Sequence, residues 1–153
     1  GKVPTGRTIG VGGIATGGGD FSADRTIIVP KATSGDATTG TDDTKAMTAA
    51  RTKDAVSAFG LGGSQTWQNV TGSRASNTSY QNTTGRPIEV AAKTSGNGAD
   101  PWQVSANNST WIDVGYASGN AVDQSVGFVV PNGHYYRLGG TTAVINYWAE
   151  LRA

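Results

Sequence analysis

Asp42-Asp43-Thr44-Lys45-Ala46-Met47-Thr48-Ala49-Ala50-Arg51-Thr52-Lys53-Asp54-Ala55-Val56-Ser57-Ala58-Phe59 is the stretch on which the reading of this chain turns. Within it, Thr52, Ala55, Val56 and Phe59 fall at i, i+3, i+4 and i+7, so a helix puts all four on one face. Thr48 is a good N-cap, because its hydroxyl can accept from free backbone N–H groups of the first turn. Gly60 stands just past Phe59, where a C-cap glycine belongs. The pattern predicts a helix over 49–59. So short a helix, with so narrow an apolar stripe, is marginal in isolation, and something has to cover the stripe.

The chain differs on the two sides of this helix. Residues 1–45 are rich in Gly and Thr, and their large apolar residues are Val3, Ile9, Val11, Ile14, Phe21, Ile27, Ile28 and Val29. That is too few to close a core, so this part is expected to depend on partner chains. Everything after the helix is different: it holds all 4 tryptophans and all 5 tyrosines. The whole chain has 153 residues, which suggests one or two domains. Its 12 basic and 11 acidic side chains are scattered and leave a net charge of +1, without the basic patch a nucleic-acid partner needs. There is no cysteine, which excludes a disulfide framework and cysteine-based zinc sites. No apolar run approaches the ~20 residues of a membrane-crossing helix. The opening Gly1-Lys2-Val3-Pro4 reads as a fragment cut from something longer.

Upstream of the helix, Thr8–Val11 and Arg25–Val29 are expected to be short strands around a turn at Gly17-Gly18-Gly19-Asp20, with one loose helical turn over 32–37. Gly60–Ser64 reads as a linker. From Thr66 the apolar period changes to two. Ile88, Val90 and Ala92 alternate with Glu89, Ala91 and Lys93; Thr110, Ile112, Val114 and Tyr116 with Trp111, Asp113 and Gly115; Ile145, Tyr147, Ala149 and Leu151 with Asn146, Trp148, Glu150 and Arg152. Such alternation belongs to half-buried antiparallel strands. Turn residues separate the runs at 84–87, 95–98, 107–108, 118–120 and 131–133, and the spacing suggests an all-β sandwich. Asn132-Gly133 is the sharpest hairpin signal. Trp67, Tyr80, Phe128 and Tyr147 are assigned to the core.

Most chemical motifs dissolve on inspection. Gly10-Val11-Gly12-Gly13-Ile14-Ala15 matches a dinucleotide fingerprint, but Gly17-Gly18-Gly19 forbids the helix that must follow it. Gly17–Phe21 resembles one calcium-binding β-roll repeat, a motif that works only when stacked. His134 is the only histidine; it is an ordinary residue after Asn-Gly, or, in three copies on a trimer axis, a metal ligand. Asp100, Asp113 and Asp123 are the carboxylates to inspect for glycoside hydrolysis, though each sits in or near a turn, where aspartate is expected anyway. Four N-glycosylation sequons, at Asn69, Asn77, Asn82 and Asn108, are chance matches in a chain this rich in Asn and Thr. The aromatics beside turns carry more. Trp102 follows Asp100-Pro101, and Trp111 stands opposite Ile112 and Val114 beside Asn107-Asn108. Aromatic planes next to amides suit sugar rings, which offer C–H faces for stacking and hydroxyls that need paired donors and acceptors. Trp102, Asn107, Asn108 and Trp111 are therefore the candidate binding residues, with burial in the core as the competing role of each tryptophan.

Two stretches resemble the C-terminal part of tailed-bacteriophage tail fibres. Gly17-Gly18-Gly19-Asp20-Phe21-Ser22-Ala23-Asp24-Arg25-Thr26-Ile27 and Gly40-Thr41-Asp42-Asp43-Thr44-Lys45-Ala46-Met47-Thr48-Ala49-Ala50-Arg51-Thr52 are similar to the shaft pattern GGGDLSADRTI … GTDDTKAMTPLRT, with Ala49 in place of its proline. Thr66-Trp67-Gln68-Asn69-Val70, Tyr80–Ile88, Val130-Pro131-Asn132-Gly133 and Trp148-Ala149-Glu150-Leu151-Arg152 resemble a terminal fibre domain. The resemblance implies a mainly β chain in a homotrimer: residues 1–64 a Gly-rich shaft and connector, and residues 66–153 an antiparallel β-sandwich tip. It places the helix at a three-fold axis, where the stripes of Thr52, Ala55, Val56 and Phe59 would cover one another. It also implies a place at the distal end of the fibre on the virion, and a bacterial surface glycan such as lipopolysaccharide, or an outer-membrane protein, as receptor. No cofactor, nucleic acid or membrane insertion belongs to that reading, and no catalysis. The other classes are a trimerisation module without receptor binding and a small polysaccharide depolymerase.

Overall fold

A computed structural model describes residues 4–96, 99–117 and 123–153. Among them the fold is mainly β, with antiparallel sheets and two α-helices. The chain divides into two compact units, Gly1–Val56 and Ser57–Ala153.

The first unit is built from turns and short pairings. Strands β1 (Thr8–Ile9) and β2 (Gly19–Asp20) pair antiparallel, and single bridges join Thr16 to Ile28 and Lys31 to Ala46. The glycine run thus enters a pairing at Gly19 rather than forming only a turn, and Arg25–Val29 contributes one bridge instead of a strand. The reason is close backbone approach: a Cβ on Gly18 would lie 2.4 Å from the carbonyl oxygen of Ile9. Helix α1 (Ser34–Thr39) starts two residues later than the expected loose turn, because Thr33 caps it through a capping box with Asp36. No helix follows Gly10–Ala15, so the dinucleotide fingerprint has no structural counterpart. Ala37 is the one buried residue described over 4–56, while Val11, Phe21, Ile27, Ile28, Val29 and Met47 are exposed.

Helix α2 (Ala49–Phe59) has the bounds its spacing predicts. Its first turn is capped by the Thr48 hydroxyl, which accepts from the N–H of Arg51 at 3.4 Å. The left-handed glycine after it is Gly62 (φ 83) rather than Gly60. No residue of α2 is buried, and Val56 is 65 % and Phe59 46 % exposed. Thr52 is exposed as well, and Ala55 is half-buried.

The second unit holds two four-stranded antiparallel sheets. The first runs β3 (Thr66–Asn69), β10 (Ala143–Arg152), β5 (Ile88–Gly96), β8 (Gln124–Val130); the second runs β4 (Tyr80–Gln81), β9 (Tyr135–Leu138), β6 (Pro101–Ser105), β7 (Ile112–Tyr116). Both contribute to one apolar core: Ile88, Val90, Val130 and Trp148 from the first, Trp102, Tyr136 and Leu138 from the second. The Trp102 and Trp148 rings meet edge to face at 4.7 Å. Glu150 lies beside this core with no exposed side-chain surface, held by Arg74 at 2.8 Å and by the Tyr136 hydroxyl at 2.7 Å. Burial, then the bond to Glu150, push the Tyr136 hydroxyl well above its ordinary pKa.

Strand β5 alternates as its sequence predicts, with Ile88, Val90 and Ala92 buried. Two other strands do not, because each carries a bulge. In β10 the register shifts between Ile145 and Tyr147, leaving Asn146 as the extra residue. Trp148 and Glu150 therefore turn inward, and Tyr147, assigned to the core from sequence, is 43 % exposed. In β7 the shift leaves Val114 as the extra residue. Val114, expected to carry core packing, is 39 % exposed; Ile112, ahead of the bulge and paired with Val104, is 64 % exposed because β7 is the edge strand of its sheet. Trp67 is also no core residue; it stands 51 % exposed on the edge strand β3, paired with Leu151. Tyr80 and Phe128 do pack against the core. Asn132-Gly133 forms a turn of type II geometry, with only Gly133 at positive φ (82) and the His134 N–H bonded to the Pro131 carbonyl. It joins β8 to β9, which belong to different sheets, so it is not a hairpin.

Candidate functional site

The outer face of the second sheet, turned away from the core, holds the most organised set of polar side chains near an aromatic. Along β6, Trp102 and Val104 point inward, which leaves Gln103 outward. Gln103 pairs with Arg137 of β9 on one side and with Asp113 of β7 on the other. The three stand in a row across three strands and are linked in sequence. Arg137 Nε donates to Gln103 Oε1 at 2.8 Å, and Gln103 Nε2 donates to Asp113 Oδ1 at 2.8 Å. The Tyr116 hydroxyl donates to Asp113 Oδ2 at 2.7 Å. At the other end the Arg137 guanidinium lies 4.0 Å from the centroid of the Trp111 ring, a cation–π stack. Hydrogen bonds from Gln103, then Tyr116, hold the Asp113 carboxyl below the usual carboxylate range, and the same bond raises the Tyr116 hydroxyl. Asp113 is thus an ionised acceptor at neutral pH, and Arg137 a pinned donor.

Arg137 differs from the other cations of this unit. Arg74 and Arg152 pair with Glu150, Lys93 pairs with Asp123, and Arg86 donates to the carbonyls of Ser57 and Gly63. Among the described residues Arg137 has no carboxylate, and its two terminal amino groups have no acceptor.

The four residues singled out from sequence separate. Trp102 is 1 % exposed in the core and takes no part in a surface, because β6 turns it toward Trp148. Trp111 is half-buried on the outer face, with Arg137 stacked on it. Asn107 and Asn108 lie beside it in the β6–β7 connection, and their amide oxygens build the loop. Asn107 Oδ1 accepts from the N–H groups of Ser109 (3.0 Å) and Thr110 (2.8 Å). Asn108 sits at φ 59 and accepts from the Ser79 hydroxyl at 2.5 Å. β6 and β7 pair antiparallel on either side of this connection. Sequence reasoning passed over Gln103, Arg137 and Tyr116. Alternation in Trp102–Ser105 and Tyr135–Leu138 was the available signal for the first two, since each stands between residues that face the core. Of the turns read from the sequence, residues 97–98 and 118–120 lie outside the described residues.

The remaining candidates have structural roles. Asp100 accepts from the N–H groups of Thr142 and Ala143, both at 2.7 Å, and from the Thr142 hydroxyl at 2.9 Å. Asp123 pairs with Lys93 at 2.6 Å. Neither lies in the row with Asp113. Half-buried His134 donates its main-chain N–H to the Pro131 carbonyl and accepts at its own carbonyl from the Asn82 N–H, and the described residues contain no group of three or more His, Cys, Asp or Glu that could hold a metal ion. Asn82, in a sequon, is 1 % exposed and donates both amide hydrogens, to Arg86 and Val130 carbonyls, so it has no surface to modify. Asn82, Gly85 and Asn132 interlock, the Gly85 N–H reaching Asn132 Oδ1 at 2.9 Å. A hollow of about 560 Å³ in the first unit is lined by Ile14, Pro30, Asp43 and Lys45 among others, and its one cation, Lys45, is paired with Asp36 and Asp42. No helix among the described residues is long and apolar enough to cross a membrane. No protein-family model, curated protein or solved structure matches this chain.

Proposed function

We propose that this chain is the C-terminal region of a bacteriophage tail fibre, a homotrimer whose β-sandwich tip attaches to a glycan on the bacterial surface without cleaving it. The observation that carries the proposal is the outer-face row of Trp111, Arg137, Gln103, Asp113 and Tyr116. It combines an aromatic, fixed donors and a fixed acceptor on rigid strands, which is the chemistry a sugar surface needs. The sequence motifs of the shaft and tip support the virion assignment. The trimer is supported by exposed apolar side chains: a unit that buries only Ala37 over 4–56, and a helix with Val56 and Phe59 in solvent, both gain from partner copies. Lipopolysaccharide from a panel of Gram-negative strains, immobilised and probed with the purified chain, tests the reading. Binding to at least one is expected, weakened by about 1–3 kcal/mol in Trp111→Ala, the range for losing an aromatic anchor. A Trp111→Ala protein that folds and binds like the parent would move the site elsewhere.

A further inference from the structure

The row has a polarity. Its Arg137 end is cationic with unclaimed donors, and its Asp113 end is an anionic acceptor. The Gln103 amide bridges them, with a 2.8 Å hydrogen bond to each. We infer, resting on the glycan reading above, that the ligand is a sugar with a single acid group, carboxylate or phosphate, seated at Arg137 and continued by neutral, hydroxyl-rich sugar toward Asp113.

The geometry of Arg137 sets the charge of the ligand. Its flat face is occupied by Trp111 and its Nε by Gln103. What remains is the end-on edge, two parallel N–H donors in a fixed plane, the edge that matches two oxygens of a carboxylate or phosphate. Stacking and the Nε bond also remove most of the side chain's freedom in advance, so little ordering is left for the ligand to impose. No protein carboxylate among the described residues satisfies this edge, whereas Arg74, Lys93 and Arg152 each have one.

Asp113 sets the limit on that charge. Its oxygens each accept one hydrogen bond, from Gln103 and from Tyr116, and keep lone pairs for sugar hydroxyls. A second anion there would meet a carboxylate held ionised at neutral pH. A polyanion would place charges at both ends of the row, so nucleic acid and sulfated chains fit it poorly. One acid group beside neutral sugars fits both ends.

The test uses the full chain and defined oligosaccharides. The probes are a neutral hexose oligomer carrying a single uronate, the same oligomer with that carboxyl reduced to an alcohol, a monophosphorylated neutral oligomer, and a sulfated polyanion. The uronate or the phosphate form should bind roughly tenfold or more tighter than the reduced form, the usual worth of charge-assisted bonds. Which of the two wins identifies the source of the anion. Arg137→Gln should erase the gap, Arg137→Lys should keep part of it, and the polyanion should gain nothing over the single acid. Both variants should stay folded, with melting temperatures lowered by no more than a few degrees for the weakened stack on Trp111, so a lost gap reports recognition. Equal binding of acid and reduced forms, or a gap that survives Arg137→Gln, overturns the inference while leaving the glycan reading intact. If no probe binds, lipopolysaccharide decides. Retention unchanged by Arg137→Gln removes the inference alone, and no retention by any lipopolysaccharide removes the glycan reading with it.

Discussion

Trp102 and Trp111 look interchangeable in the sequence, each near a turn and polar neighbours, and the fold gives them opposite roles. Trp102 is 1 % exposed and packs on Trp148 and Phe128. Trp111 is half-buried on the outer face beneath or beside Arg137. Trp102→Ala should therefore destabilise the protein by about 3–5 kcal/mol, the usual cost of emptying a buried tryptophan site. Trp111→Ala should cost about 1 kcal/mol, the worth of an exposed cation–π stack with some packing. Urea unfolding of the two variants separates them, and equal losses would put Trp111 in the core. Part of this was legible: residue type and turn context marked both tryptophans as noteworthy. Which way each ring points was not, because that depends on the pairing of β6 with β9 and β7, a long-range property.

At the scale of elements, strands without irregularity were readable and strands with bulges were not. β5 follows its alternation from Ile88 to Thr94. One extra residue in β10 reverses the faces beyond Asn146, and one in β7 takes Val114 out of the alternation, while Ile112, ahead of that bulge, is exposed on an edge strand. A bulge residue has no distinctive side chain, so period-two reading carries the error through the rest of the strand. The start of β10 has its own device. Burial raises the Asp100 pKa, but bonds from the Ala143 N–H and from the Thr142 hydroxyl and N–H outweigh it and leave the carboxyl below its ordinary value. A depressed folded-state pKa stabilises above the unfolded value, near 4, and the contribution fades as pH falls through the folded value. Asp100→Asn should lower stability by about 1–3 kcal/mol at pH 7. The gap between variant and parent should narrow below pH ~4; melting curves from pH 7 to 2.5 check it, and a gap independent of pH would mean Asp100 acts through shape alone. Helix α2 makes a different prediction. Val56 is 65 % exposed on its stripe, so Val56→Asp should leave the chain folded while weakening assembly, by placing carboxylates in an apolar seam. Light scattering should give three times the 15.6 kDa chain mass for the parent and a smaller species for the variant. A monomeric parent removes the trimer from the account.

For the molecule as a whole, composition marked a part poor in large apolar residues, in which Ala37 is the one buried residue described, and a part that holds the apolar core. The boundary between compact units falls at Val56–Ser57, inside α2, where the sequence placed it in the linker after the helix. The apolar core lies within residues 88–148, so a chain lacking 1–45 should keep its β circular dichroism signal, and residues 1–45 alone should show none. A folded N-terminal fragment would overturn that division. The candidate site was legible only in part: the sequence pointed to Trp111 and its asparagines, but the residues that give the surface its charge, Asp113 and Arg137, come from two strands, β7 and β9, that do not pair with each other. The central claim is attachment through surface sugars, and cells test it most directly. Fluorescently labelled chain is incubated with Gram-negative strains until an adsorbing strain is found, and adsorption is then measured after mild periodate oxidation and, separately, after protease shaving. The account predicts that periodate abolishes adsorption and that protease leaves it unchanged; adsorption that survives periodate and disappears with protease would contradict it.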